Sequence, residues 1–195
     1  MFDIEKYFET SSEVIKQLKD HKKNVELIAQ KIIECNKSKN KILVGGNGGS
    51  CADADHFTGE LQCTYKKSNR SPVSAINIGG MPASITAWAN DFGFETYFER
   101  QVKAHGNTGD ILFLISTGGG DIKEGSSTCL IKAADEGKKR GMYLISLVGK
   151  TGGALKETSD ICIHVKNKTT AFIQEAHMSI LHCICEILEN DLDSK

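Results

Sequence analysis

The sequence predicts an α/β fold: a three-layer sandwich built on a five-stranded parallel sheet and preceded by an N-terminal helix pair. Three observations carry this. Short apolar runs alternate along the chain with longer segments of helical periodicity, the pattern of strands joined by crossover helices. One run, Ile111-Leu112-Phe113-Leu114-Ile115, is apolar throughout, as a strand buried on both faces must be. Three strand ends share glycine-rich punctuation, GGNGGS, STGGG and GKTGG, and such sheets bind ligands beyond the carboxyl ends of their strands.

The elements follow in order. Over residues 3–36, Ile4, Phe8, Ile15 and Leu18, then Val25, Ile28, Ile32 and Ile33, recur at helical spacing, with a break expected at His21–Asn24. The polar turn 37–40 leads to a first strand, Ile42–Val44, the glycine loop and a helix over about Cys51–Cys63. Pro72–Ile78 reads as a second strand, followed by a helix from Pro82 to Ala89 and another over 95–104. After the strand at 111–115, a helix runs from Thr128 to Arg140 and stops at Gly141, a glycine suited to a helix end. Tyr143–Val148 and Ile161–Val165 are the remaining strands, separated by a short helix at 154–158, and a long helix from Thr170 to Asn190 closes the chain.

Composition narrows the function. With 195 residues, one domain is expected over 1–195, helices over 1–36 and the α/β core over 41–190. The net charge of −1 gives no footprint for nucleic acid or an acidic membrane surface, and no apolar stretch approaches membrane-spanning length. The seven cysteines include no CxxC pair and the acidic start does not resemble a signal peptide. Reduced thiols and a cytoplasmic protein are therefore expected.

The chain is organised around KILVGGNGGSCADADHFTGELQ, Lys41 to Gln62. A strand, a glycine turn and a helix start present backbone N–H groups to an anion, with Ser50 expected as the N-cap. GGNGGS lacks GxGxxG spacing, and no acidic residue closes a strand about 20 residues later, against a dinucleotide. No GxxxxGK[ST] occurs, against a nucleoside triphosphate loop. A small phosphorylated ligand needs only N–H groups and hydroxyls, which Ser50, Ser116, Thr117, Ser126, Ser127 and Thr128 supply. His56 and Glu60 are one helical turn apart and share a face. That spacing alone also describes a solvated ion pair. Gln174 and His182, eight residues apart on the last helix, fall near one face as well. His177 either flanks that face or packs. Cys51 is either a helix-terminal nucleophile or a small packing residue, with packing preferred.

The motifs GGNGGSCADADHFTGEL, Asn90-Asp91-Phe92-Gly93-Phe94, Ile115-Ser116-Thr117-Gly118-Gly119 and Ile173-Gln174-Glu175-Ala176-His177, with His182 beyond, together resemble the bacterial phosphoheptose isomerases, proteins of the SIS (sugar isomerase), flavodoxin-like fold. The resemblance spans nearly the whole chain. It implies interconversion of sedoheptulose 7-phosphate and D-glycero-D-manno-heptose 7-phosphate, for bacterial surface heptose, by a homotetramer with sites between subunits. It implies zinc held by His56, Glu60, Gln174 and His182, and Glu60 and His182 as the acid/base pair. Asn47, Gly48, Gly49 and Ser50 with Asn90 and Asp91 are implied to hold the sugar, which Glu60 and Gln174 also reach. Ser116, Thr117, Gly118 and Ser127 are implied to line the phosphate cup. A tight zinc ligand cannot also be the free base in one step, so either Glu60 is displaced from the metal or the zinc is structural.

Two departures stand out. The family's S-T-S-G-N-S is STGGGDIKEGSST here. Read straight through, Asp121 would bring a carboxylate into the cup, repelling phosphate. Read back from Gly141, the segment carries about six extra residues, Ser127 takes the last hydroxyl position, and Asp121 and Lys123 lie on an enlarged loop; this reading is preferred. Thr170-Ala171-Phe172 also stands where the family tends to carry an Asp and an Arg. The alternatives are a non-catalytic SIS-fold adaptor of the kind that binds the replication initiator, and an isomerase or sensor of another phosphosugar. Adaptors lose the Glu and His that this chain keeps.

Overall fold

The computed structural model describes residues 2–192. Residues 1 and 193–195, included in the single unit expected over 1–195, lie outside the described residues. Five strands, β1 (Ile42–Gly46), β2 (Ala75–Asn77), β3 (Ile111–Ser116), β4 (Tyr143–Val148) and β5 (Ile161–His164), form one sheet in the order β2-β1-β3-β4-β5. Every pairing is parallel, with Val44 beside Phe113 and Phe113 beside Ile145. In this order the chain runs from β1 to one side and then returns to the other. The carboxyl ends of β1 and β3 therefore flank a topological switch point, where α/β sheets leave a crevice.

Strand residues alternate between two cores even where both faces are buried. Ile42, Val44, Phe113, Ile115 and Ile145 pack toward the helices α1 (Ile4–Gln17), α2 (Lys22–Lys37), α3 (Gly49–Gln62) and α8 (Thr170–Asp191). Leu43, Leu112, Leu114 and Leu144 pack toward α5 (Tyr97–His105), α6 (Thr128–Lys139) and α7 (Gly153–Thr158). Glu175 on α8 ties down α1: Tyr7 Oη donates to it at 2.8 Å, and Ser11 Oγ donates to its other oxygen.

Some expected boundaries move. The break between the first helices is a 3₁₀ turn at Leu18–His21, earlier than expected. β2 is three residues rather than the seven of Pro72–Ile78, because it is an edge strand with β1 as its one neighbour in the sheet. Helix α4 extends over Pro82–Phe92, and the aromatic segment after it begins as a 3₁₀ turn, Phe94–Thr96, before α5. Ser50 is not an N-cap. Gly48 takes that place with φ 56°, and Ser50 is buried inside the first turn of α3.

Candidate active site

The site forms where α3 and α8 lie side by side and run in the same direction. A Cβ on Gly46 would lie 2.5 Å from the Ser50 carbonyl oxygen and 3.0 Å from that of Ile115, so a glycine there lets α3 start hard against β1 and β3. Asn47 follows and donates through Nδ2 to Cys129 Sγ at 3.3 Å, joining the loop after β1 to the start of α6. Gly48 and Gly49 are exposed. Gly49 faces Gln174: a methyl on it would run into the Gln174 carboxamide. Two turns further along both helices, His56 faces His182, their Nε2 atoms 3.1 Å apart and their rings 5.1 Å apart at 65°. His56 Nε2 also lies 3.3 Å from Glu60 Oε1. His56 thus stands between Glu60 and His182, and all three are reachable from solvent.

The residues expected to line a phosphate cup are distributed over two elements. Ser116 ends β3, is buried, and its Oγ accepts from Gly119 N–H at 3.0 Å. Thr117 and Gly118 are half-buried, and a Cβ on Gly118 would meet only open space. Ser127 stands at the N-cap of α6 in a left-handed conformation (φ 51°), with no side-chain bond into the helix. The first turn of α6 is therefore not capped by its own side chain, which suits it to an anion. Asp121 turns away into its own loop: its Oδ1 accepts from Lys123 N–H at 2.7 Å and Glu124 N–H at 3.1 Å, and its N–H donates to Ser126 O at 2.8 Å. The exposed 121–126 segment is a closed excursion between Gly120 and Ser127.

The GKTGG loop is engaged by the STGGG loop. Ala154 N–H and Leu155 N–H donate to Gly120 O and Gly119 O at 2.9 Å each, so the carbonyls of STGGG occupy the start of α7. Asn90 and Asp91 are exposed at the end of α4 and bond to each other at 2.8 Å. Among the described residues, neither side chain hydrogen bonds to the glycine loops.

Burial decides several titratable groups. His177 is fully buried and neither ring nitrogen makes a hydrogen bond; burial pushes its pKa down to about 4, with the Val148 backbone partly opposing. It packs rather than flanks. The Cys51 thiol is pushed up, chiefly by burial, which suits packing and not a nucleophile. Asp53, one turn before His56, was not singled out by its sequence context. Its carboxyl is buried with Oδ2 unpartnered, and burial raises its pKa to about 6 although His56 nearby lowers it. Its i,i+3 relation to His56 was the available signal.

The donor set of two imidazoles, a carboxylate and an amide suits zinc chemically. Tetrahedral donors at about 2.0–2.1 Å from zinc lie roughly 3.3 Å from one another, close to the 3.1 and 3.3 Å found here. Among the described residues, no three His, Cys, Asp or Glu side chains already form a metal-holding group, so an ion would have to turn side chains that now contact each other.

Comparison with known proteins defines the class first. Residues 6–149 match the family described as "SIS domain". Over 193 residues the chain is 37% identical to a phosphoheptose isomerase of Helicobacter pylori, covering 98% of this chain and 97% of that one. The structure of a phosphoheptose isomerase from Francisella tularensis superposes with a TM-score of 0.88 at 35% identity, covering 96% of each chain. One from Neisseria gonorrhoeae gives 0.85 at 31% identity, covering 96% of this chain and 97% of that chain. The chain belongs to the SIS domain family and, within it, to the phosphoheptose isomerases.

Proposed function

We infer that the protein is an aldose–ketose isomerase that interconverts sedoheptulose 7-phosphate and D-glycero-D-manno-heptose 7-phosphate. The observation that carries this is the convergence of Glu60, His56 and His182 between α3, which starts at the glycine loop, and α8. From the ketose, a base takes a proton from C1, giving a cis-enediol. A proton returns to C2, and the hydroxyl proton on O1 is lost as O2 gains one. Glu60 and His182 serve as the carbon base and the oxygen acid, or the reverse; such groups contribute about 10²–10⁴-fold each. Asn47, Gly48, Gly49 and Ser50 hold the sugar, Gln174 closes over it, and Ser116, Thr117, Gly118 and Ser127 take the phosphate at the start of α6. One zinc ion held by His56, Glu60, Gln174 and His182 would either be structural or, with Glu60 displaced from it to act as base, polarise the carbonyl and stabilise enediolate charge.

The site belongs to a homotetramer in this reading. Helix α4 has no buried residue, Phe92 at its end and Phe94 just after it are 63% and 41% exposed, and Asn90 and Asp91 stand next to Phe92. A second copy covering that face brings Asn90 and Asp91 to a neighbouring sugar. No helix among the described residues is long and apolar enough to cross a membrane, in keeping with a cytoplasmic enzyme acting on a phosphorylated sugar. An adaptor that only binds has no need of a carboxylate and an imidazole within reach of one another.

The test is turnover on a panel of phosphorylated ketoses. Sedoheptulose 7-phosphate should be the best substrate, and Glu60→Gln and His182→Gln should each abolish turnover in folded protein. Full activity in both variants would remove the acid/base assignment, and turnover confined to another ketose would move the substrate.

A further inference from the structure

Residues 64–70 lie between the end of α3 and the last turns of α8, and Arg70 anchors them. Arg70 is 5% exposed and Glu189 only 3%. Arg70 Nε lies 3.0 Å from Glu189 Oε2. Its Nη2 donates to the main-chain carbonyl of Glu60 and, at 3.2 Å, to that of Leu61; its Nη1 donates to Ser71 O at 3.1 Å. The other oxygen of Glu189 accepts from Lys66 N–H at 3.0 Å and from Lys67 N–H. Between these anchors the Tyr65 ring lies 6.2 Å from the His182 ring, and Tyr65 Oη donates to Glu186 Oε1 at 3.2 Å.

One buried ion pair therefore grips α3 at Glu60 itself and α8 at a point about two turns beyond His182. The Glu60 and Leu61 carbonyls belong to the last turn of α3, which lacks helical donors and favours a cation. Stability alone is a weak reason for such a pair, since a well-packed apolar seam often does as well. A guanidinium fork adds fixed geometry: its planar Nη donors hold the α3 carbonyls and that of Ser71 while its Nε stays in ion-pair contact with Glu189, a relation that a flexible ammonium cannot reproduce.

We propose that Arg70, held by Glu189, is a positioning residue for the isomerisation, fixing α3 against α8 and so setting the distance between Glu60 and His182. This rests on the reading of Glu60 and His182 as the acid/base pair.

The test uses the full-length enzyme with Arg70→Lys, which keeps the charge and loses the fork, and Glu189→Gln, which keeps the shape and loses the charge. Each is assayed for kcat, KM, melting temperature and the isotope effect with sedoheptulose 7-phosphate deuterated at C1. Misplacement by about 1 Å costs up to about 10²-fold, so kcat should fall about 10- to 100-fold with KM little changed. The isotope effect should rise as proton abstraction becomes more limiting. Wild-type kcat in both folded variants overturns the proposal. So does activity lost only in step with the folded fraction, with the isotope effect unmoved. Glu60→Gln and His182→Gln are run alongside: turnover surviving in them refutes the underlying reading instead.

Discussion

Replacing Gly49 with alanine separates stability from function at one atom. Gly49 lies in the first turn of α3 and has no positive φ, so backbone conformation does not require glycine there. The added methyl would stand 2.8 Å from Gln174 Cδ and 2.9 Å from Oε1, and closer still to Nε2. These separations are roughly 0.6 Å or more inside ordinary contact distance. The obstacle is the end of a flexible side chain, so Gln174 gives way and the backbone stays. A displaced rotamer costs about 0.5–1.5 kcal/mol, while alanine in a helix gains about 0.5–1 kcal/mol over glycine; the two nearly cancel. The melting temperature should stay within about 3 °C of wild type, since about 1 kcal/mol moves a chain of this size by 2–4 °C. Activity should not survive as well, because Gln174 leaves the sugar: kcat/KM should fall up to about 10²-fold. Gly59 in the same helix is the control, since nothing lies within 4 Å of a Cβ placed there. Gly59→Ala should gain about 0.5–1 kcal/mol at wild-type activity. Wild-type kcat/KM in Gly49→Ala, or an equal loss in Gly59→Ala, would refute the argument, because the contact would then not be the cause.

Two further outcomes are expected. Metal analysis of the purified protein should find zinc, with His56→Ala binding much less; zinc retained in full by that variant would remove His56 from the ligand set. His177, with its pKa lowered from 6.5 to about 4, binds its proton less readily folded than unfolded. Its contribution to stability is therefore complete above about pH 6.5 and is lost as pH falls toward 4, by up to about 3 kcal/mol. Asp53, raised from 3.8 to about 6, acts in the opposite direction within nearly the same range, so wild-type stability alone is uninformative. Denaturant midpoints of wild type and His177→Leu should diverge across pH 4 to 6.5, with the variant losing less on acidification; parallel curves would show that His177 takes up no proton on unfolding.

Much of this was legible because two periodicities dominate. The apolar runs at 42–44 and 111–115 were too short and too continuous for amphipathic helices, and alternation with helical segments made the sheet parallel. The face shared by His56 and Glu60 was legible for the same reason, as was that of Gln174 and His182. What spacing could not provide was the relation between those faces. Parallel alignment of α3 with α8 follows from packing on one side of the sheet, not from either helix alone. Arg70 was invisible in sequence because its role is long-range: it sits in a polar loop and meets Glu189 more than a hundred residues away. Ser50 is not the cap although a serine after glycines looks like one, because Gly48 can take the unusual backbone that starts the helix two residues earlier.

The glycine punctuation teaches a sharper lesson, because similar strings have different causes. At GGNGGS the glycines admit neighbours: Gly46 admits the start of α3 and Gly49 admits Gln174. At STGGG and GKTGG they admit each other. A Cβ on Gly119 would strike the Gly152 carbonyl and lie 2.9 Å from Gly153 N, and one on Gly153 would strike Gly120 O. Those two loops interlock through the bonds from Ala154 and Leu155. Gly118, with open space at its Cβ position, is the member of STGGG left facing outward. The family's third hydroxyl is thus lost at Gly118, outside the interlock, while Ser116 and Ser127 remain at the ends of the two elements on either side of it. Residues 121–126 leave and rejoin beside that interlock, and Asp121 spends its carboxylate on its own turn, so it does not set an opposing charge toward the place proposed for the phosphate.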